Sequence, residues 1–196
     1  MTSELHTQSE TPIASGLCEE DIRRIVREEI KQAWTKNPAS RRAALVASKG
    51  TLDWAYPPLI LGTAAAAAGL ETSVFFTFYG LNIIHKDFER KLKVDPVGNP
   101  AMPMPMPLPM PDVLTGMPGM KALSTKMMKS KFAKNHVATI GTLLNEAREL
   151  GVRLIGCQMT IDVFGYSHSD FRDGVEFAGA AAFMSEARKA HVTMFI

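Results

Sequence analysis

Ala43-Ala44-Leu45-Val46-Ala47-Ser48-Lys49-Gly50-Thr51-Leu52 is the stretch on which the fold turns. A short apolar run ends in a polar turn containing glycine, and a helix-forming segment follows over 52–68. This reads as a buried strand feeding a helix. The alanines of 64–68 favour the helix, and Gly69 suits its C-terminal cap. Thr72-Ser73-Val74-Phe75-Phe76-Thr77-Phe78 then supplies a second buried strand. Further on, Ile140, Leu143, Leu144, Ala147 and Leu150 recur on one stripe of a helix over 138–151, which Gly151 stops. Val152-Arg153-Leu154-Ile155-Gly156-Cys157 is a third strand. A third helix is expected over 174–190 and a last strand over 192–196. Strands alternating with helices predict an α/β fold, three layers deep, with a mainly parallel sheet covered on both faces.

Outside this domain, assigned to 41–196, residues 1–15 form a polar tail without a cationic start or an apolar core. It predicts disorder and no secretory signal. A separate helix is expected over 16–37. Glu19, Glu20 and Asp21 lie in its first turn, where the helix dipole favours them, and Asn37-Pro38 stops it. Ile22, Ile25, Val26, Ile30 and Ala33 make it amphipathic. Its own domain, a second subunit and a partner all remain open as docking sites.

The chain is 46% hydrophobic and 21% charged, too apolar for overall disorder. Its 22 basic residues against 20 acidic ones give no electrostatic case for nucleic acid. Two cysteines cannot staple a chain of 196 residues, so a reduced, cytoplasmic protein is expected. The apolar stretches at 54–70 and 72–84 read more simply as a buried helix and strand than as membrane spans. Peripheral membrane contact stays open.

Methionine and proline, 12 of each, concentrate in one insertion at about 96–120. The core of it is Ala101-Met102-Pro103-Met104-Pro105-Met106-Pro107-Leu108-Pro109-Met110-Pro111. Alternating proline forbids a helix and favours polyproline II. Its apolar side chains are unlike a solvated linker, so the loop is expected to cover something: a reactive sulfur, a neighbouring subunit or lipid.

The search for chemistry is mostly negative. His6, His85, His136, His168 and His191 are far apart without ligand spacing, and no CxxC or HExxH occurs. No metal or other cofactor is therefore expected. No glycine-rich nucleotide loop or GxSxG elbow is present. The Ser48-Lys49-Gly50-Thr51 turn could present backbone N–H groups to an anion, with a structural turn as the competing use. Cys157 stands out because it ends a strand at the carboxyl edge of the sheet, where such folds bind ligands. Helix N-terminal N–H groups there would lower its pKa and expose a thiolate. The competing reading is a small apolar residue filling the core. Cys18 is either incidental or a second, relaying thiol.

Several blocks carry a resemblance. Ser48-Lys49-Gly50-Thr51-Leu52-Asp53, Ala55-Tyr56-Pro57-Pro58 and Phe75-Phe76-Thr77-Phe78-Tyr79-Gly80-Leu81 resemble the DsrE/DsrF/DsrH-like sulfur-relay family, closest to its DsrE2-type, peroxiredoxin-like branch. Cys157-Gln158-Met159-Thr160-Ile161-Asp162 and Gly174-Val175-Glu176-Phe177-Ala178-Gly179-Ala180-Ala181-Ala182-Phe183 agree with it. The resemblance implies the flavodoxin-like α/β/α class, a homo-oligomer, and a persulfide-carrying cysteine at the position of Cys157. TusA-like carriers or rhodanese-like proteins would be its partners. One accessible thiolate is enough to accept a sulfane sulfur and hand it to another thiol. Thr160 and Asp162 would orient the loop after the cysteine. Lys49, Tyr79 and His168 are candidates for anion or proton handling, each with a structural role as the alternative. Two other classes compete: a thiol redox enzyme pairing Cys157 with Cys18, and a non-catalytic oligomeric or membrane-surface assembly protein.

Overall fold

The computed structural model describes residues 19–36, 41–94 and 119–196. The chain divides into two units, Met1–Ala39 and Ser40–Ile196. Within the first, helix α1 spans Glu19–Lys36 and leaves Ile22, Ile25 and Val26 exposed. The expected tail, Cys18 and all but the end of the Met/Pro insertion lie outside the described residues.

The second unit is built on five parallel strands: β1 (Arg42–Ala47), β2 (Glu71–Phe76), β3 (Arg153–Cys157), β4 (Val175–Ala178) and β5 (Val192–Phe195). They lie in the order β4-β3-β2-β1-β5. In register, Leu45 faces Val74, Val74 faces Leu154, and Cys157 faces Ala178. Alternation along each strand divides the side chains between two faces.

The first face holds the main core. Ala43, Leu45, Val74, Phe76 and Leu154 pack there against α2 (Leu52–Ala67) through Ala55 and Leu59. Short helices α3 (Leu81–Ile84) and α4 (Phe88–Lys91) follow β2. Helix α5 (Met120–Lys134) comes next, then α6 (Ile140–Glu149), which buries Ile140, Leu143, Leu144 and Ala147 as its stripe predicts. Thr139 caps α6, its hydroxyl accepting from the Thr142 N–H at 3.1 Å. Pro57 and Pro58 lie inside α2, past the four N-terminal donors that lack intrahelical acceptors, so each removes one i→i−4 hydrogen bond from the helix.

The second face is covered more thinly. Ala44, Phe75, Ile155 and Cys157 pack against Phe183 of helix α8 (Ala180–Ala187), with Phe75 and Phe183 stacked at 4.6 Å between ring centroids. Helix α7 (Gln158–Phe164) starts directly after β3.

Three elements differ from the sequence reading. The helix expected over 174–190 is two elements, because β4 occupies its first part. Gly174, at φ +83°, and Gly179, the N-cap of α8, break the chain on either side of Val-Glu-Phe-Ala. Pairing with β3 and a two-pronged bond from Arg153 to Glu176, at 2.9 and 2.7 Å, hold that segment extended. Helix α5 falls beyond the expected limit of the insertion and escapes the pattern because its apolar residues form no stripe. Only Ser124 and Thr125 are buried on it. The residues after Cys157, expected as a loop, are α7. Among the described residues, no helix is long and apolar enough to cross a membrane.

Candidate functional site at Cys157

Cys157 is the last residue of β3 and the N-cap of α7, so its sulfur lies on the second face of the sheet. Both sequence readings of this residue have a counterpart here. It is 2% exposed and packs with Ile155, Phe75 and Phe183, as a core cysteine would. It also sits among hydrogen-bond donors at the carboxyl edge. Burial pushes the thiol up, because a charged sulfur loses water. The Thr160 hydroxyl and N–H, the Thr77 hydroxyl and the Met159 N–H pull it down, and together they win. The thiol therefore titrates below its ordinary value.

Two backbone segments place these donors. Phe76 pairs with Gly156, so Thr77 follows β2 level with Cys157 and on the same face. Thr160 is buried one turn into α7, its Oγ1 lying 3.2 Å from Thr77 Oγ1. The Phe78 N–H donates to Thr160 Oγ1 at 3.3 Å. Phe78 itself takes φ +47°, a left-handed conformation uncommon for a non-glycine residue. Two glycines allow the loops to close beside it. An added Cβ on Gly80 would stand 2.1 Å from the Ala47 carbonyl oxygen, and one on Gly50 would stand 2.1 Å from the Tyr79 oxygen.

The other expected residues are distributed around the sulfur rather than on it. Asp162 accepts from Gln158 Nε2 at 2.8 Å, and His168 Nε2 meets Gln158 Oε1 at 2.8 Å. The His168 ring stacks on Phe177 with centroids 3.9 Å apart. This chain begins one residue after the cysteine. Tyr79 is exposed and packs its ring near Phe164 at 5.7 Å. Lys49 places its Nζ 3.4 Å from the centroid of Trp54. Thr77 was not singled out by sequence. Its signal is available once β2 and β3 are aligned as parallel neighbours: the residue after Phe76 must sit beside Cys157. Among the described residues, no group of three or more His, Cys, Asp or Glu could hold a metal ion.

What the arrangement can do is stabilise a sulfur anion through uncharged hydrogen-bond donors, which outweigh the cost of burying the charge. The chain is similar to known proteins over most of its length. It is 46% identical over 158 residues to the "Sulfur carrier protein DsrE2" of Allochromatium vinosum, covering 80% of this chain and 98% of that protein. It is 30% identical over 161 residues to the "Uncharacterized protein YrkE" of Bacillus subtilis, with the same coverage of both. The crystal structure of the ychN protein from E. coli overlays 80% of this chain and 99% of its own at a TM-score of 0.48 and 13% identity. The DsrE/DsrF/DrsH-like family matches residues 39–195, and this chain belongs to it.

Proposed function

We propose that this chain is a sulfur carrier that accepts sulfane sulfur as a persulfide on Cys157 and passes it to a partner's thiol. The carrier named among its relatives supports a sulfur-relay role. The observation that carries the assignment to one residue is the place of Cys157 at the carboxyl end of β3 and the start of α7, level with Thr77, where neighbouring donors lower its pKa. In loading, the Cys157 thiolate attacks the terminal sulfur of a persulfide or polysulfide donor. A bond forms between Sγ and that sulfur as the donor's S–S bond breaks. The electron pair leaves with the donor as its thiolate, so no oxidant or cofactor is consumed.

The reading includes a cytoplasmic homo-oligomer that exchanges sulfur with TusA-like or rhodanese-like proteins, residues 41–196 being the sulfur-handling domain. Phe78, Tyr79, Met159 and Val163 are exposed on the segments that bracket the sulfur, offering a partner an apolar landing beside it. Incubation with polysulfide followed by peptide mass spectrometry tests the proposal. Sulfur added to Cys157 and lost to an acceptor thiol supports it, and an unmodified Cys157 contradicts it.

A further inference from the structure

Thr160 is buried, is anchored from another segment, and has no part in the resemblance beyond orienting a loop. Its oxygen is fixed from two sides. The Phe78 N–H donates to it at 3.3 Å, and Thr77 Oγ1 lies 3.2 Å away. The Thr160 O–H can turn to the Cys157 sulfur or to Thr77. Thr77 has the same choice, its own proton turning to the sulfur or to Thr160. The two hydroxyls can therefore bond one another when the sulfur is uncharged and both turn to it when it is an anion. Phe78 holds this arrangement from a left-handed backbone conformation at φ +47°, and such outliers cluster at functional sites.

We infer that Thr160, with Thr77 as its partner, is a positioning residue for discharge: it receives the negative charge that returns to Cys157 when the outer sulfur is taken away. The inference rests on the carrier reading above. In discharge, a nucleophile attacks the outer sulfur of the persulfide and forms a bond to it. The bond from Sγ to the outer sulfur breaks, and its electron pair stays on Sγ, which becomes a thiolate. A thiolate of lower basicity leaves faster. In the persulfide, the charge resides on the outer sulfur and the inner Sγ is neutral, so the paired hydroxyls gain most as the S–S bond breaks. The cradle thus favours giving sulfur away over holding it.

Charged groups do not supply this effect. The ionisable side chains on the elements around the sulfur are engaged elsewhere. Glu71 and Glu186 pair with Arg42, Glu176 pairs with Arg153, and Asp162 accepts from Gln158.

The test compares the full chain with Thr160→Val and Thr160→Ser. Each is loaded with polysulfide, and the rate at which cyanide removes the outer sulfur as thiocyanate is measured. Cys157→Ser serves as the blank for sulfur carried elsewhere. The thiolate absorbance of unloaded protein is titrated in parallel. Thr160→Val is expected to titrate at higher pH and to discharge roughly several-fold more slowly, because the more basic thiolate is the poorer leaving group. Thr160→Ser, which keeps the hydroxyl, is expected to restore both values. A folded Thr160→Val that titrates and discharges like the parent overturns the inference. Should Thr160→Val not fold, Thr77→Val removes the second hydroxyl and is judged by the same two readouts. If the parent carries no cyanide-labile sulfur on Cys157, the carrier reading fails, and the thiol titration alone decides the role of Thr160.

Discussion

Gly80 and Ala47 meet so closely that a Cβ added at Gly80 would lie 2.1 Å from the Ala47 carbonyl oxygen. The same carbonyl accepts the Thr77 N–H at 3.0 Å, and Ser48 O accepts the Gly80 N–H at 3.1 Å. The carboxyl end of β1 is thereby clamped to the loop that carries Thr77 and Phe78. Real Cβ atoms do not approach backbone this closely, so Gly80→Ala has to separate the two loops. We expect it to destabilise the domain by about 1–3 kcal/mol in chemical denaturation, and to raise the Cys157 pKa as Thr77 moves away.

The lowered thiol has a consequence for stability. A group depressed in the folded state adds stability that is complete above its unfolded value, about 8.5 for cysteine, and is lost as pH falls through the folded value. Unfolding free energy is therefore expected to rise with pH across the window between these two values. Denaturation of the parent and of Cys157→Ser across that window checks this. The variant should lack the rise that the parent shows.

Phe183 closes the second face over the sulfur. It is 5% exposed and stacks on Phe75. Truncation to alanine removes a buried aromatic from a layer with one short helix, at a cost of about 3–5 kcal/mol. It also uncovers Cys157, so alkylation of the thiol should accelerate in the folded variant. A destabilised Phe183→Ala whose thiol reacts no faster would mean that another group shields the sulfur.

The Arg153–Glu176 pair joins β3 to the edge strand β4 through two short bonds, yet its side chains are 39% and 48% exposed. Solvent screens such a pair. A double-mutant cycle with Arg153→Met and Glu176→Gln is expected to give a coupling of no more than about 1 kcal/mol.

These relationships show what the sequence could convey. Strands β1 to β3 and helices α2 and α6 were legible because each is an apolar run or an apolar stripe, and the core around Leu45, Val74 and Leu154 enforces them. Strand β4 was not, since Val175 and Phe177 are separated from the next apolar residues by spacings a helix also permits. Its identity is set by pairing with β3, a tertiary fact. Helix α5 carries no stripe, so periodicity had nothing to report. At the site, Cys157 was visible because it closes a strand. Its partner Thr77 lies 83 residues from Thr160 in sequence, and only the parallel β2–β3 register brings them together. Lys49 and His168, chosen for their chemistry, find ring partners in Trp54 and Phe177.

The most direct test of the central claim is intact-protein and peptide mass spectrometry after incubation with polysulfide, run on the parent and on Cys157→Ser. The account predicts sulfur added to the peptide that contains Cys157, its removal by an acceptor thiol, and no transferable sulfur on the variant. Equal loading of Cys157→Ser, or a parent in which Cys157 stays unmodified, would contradict it.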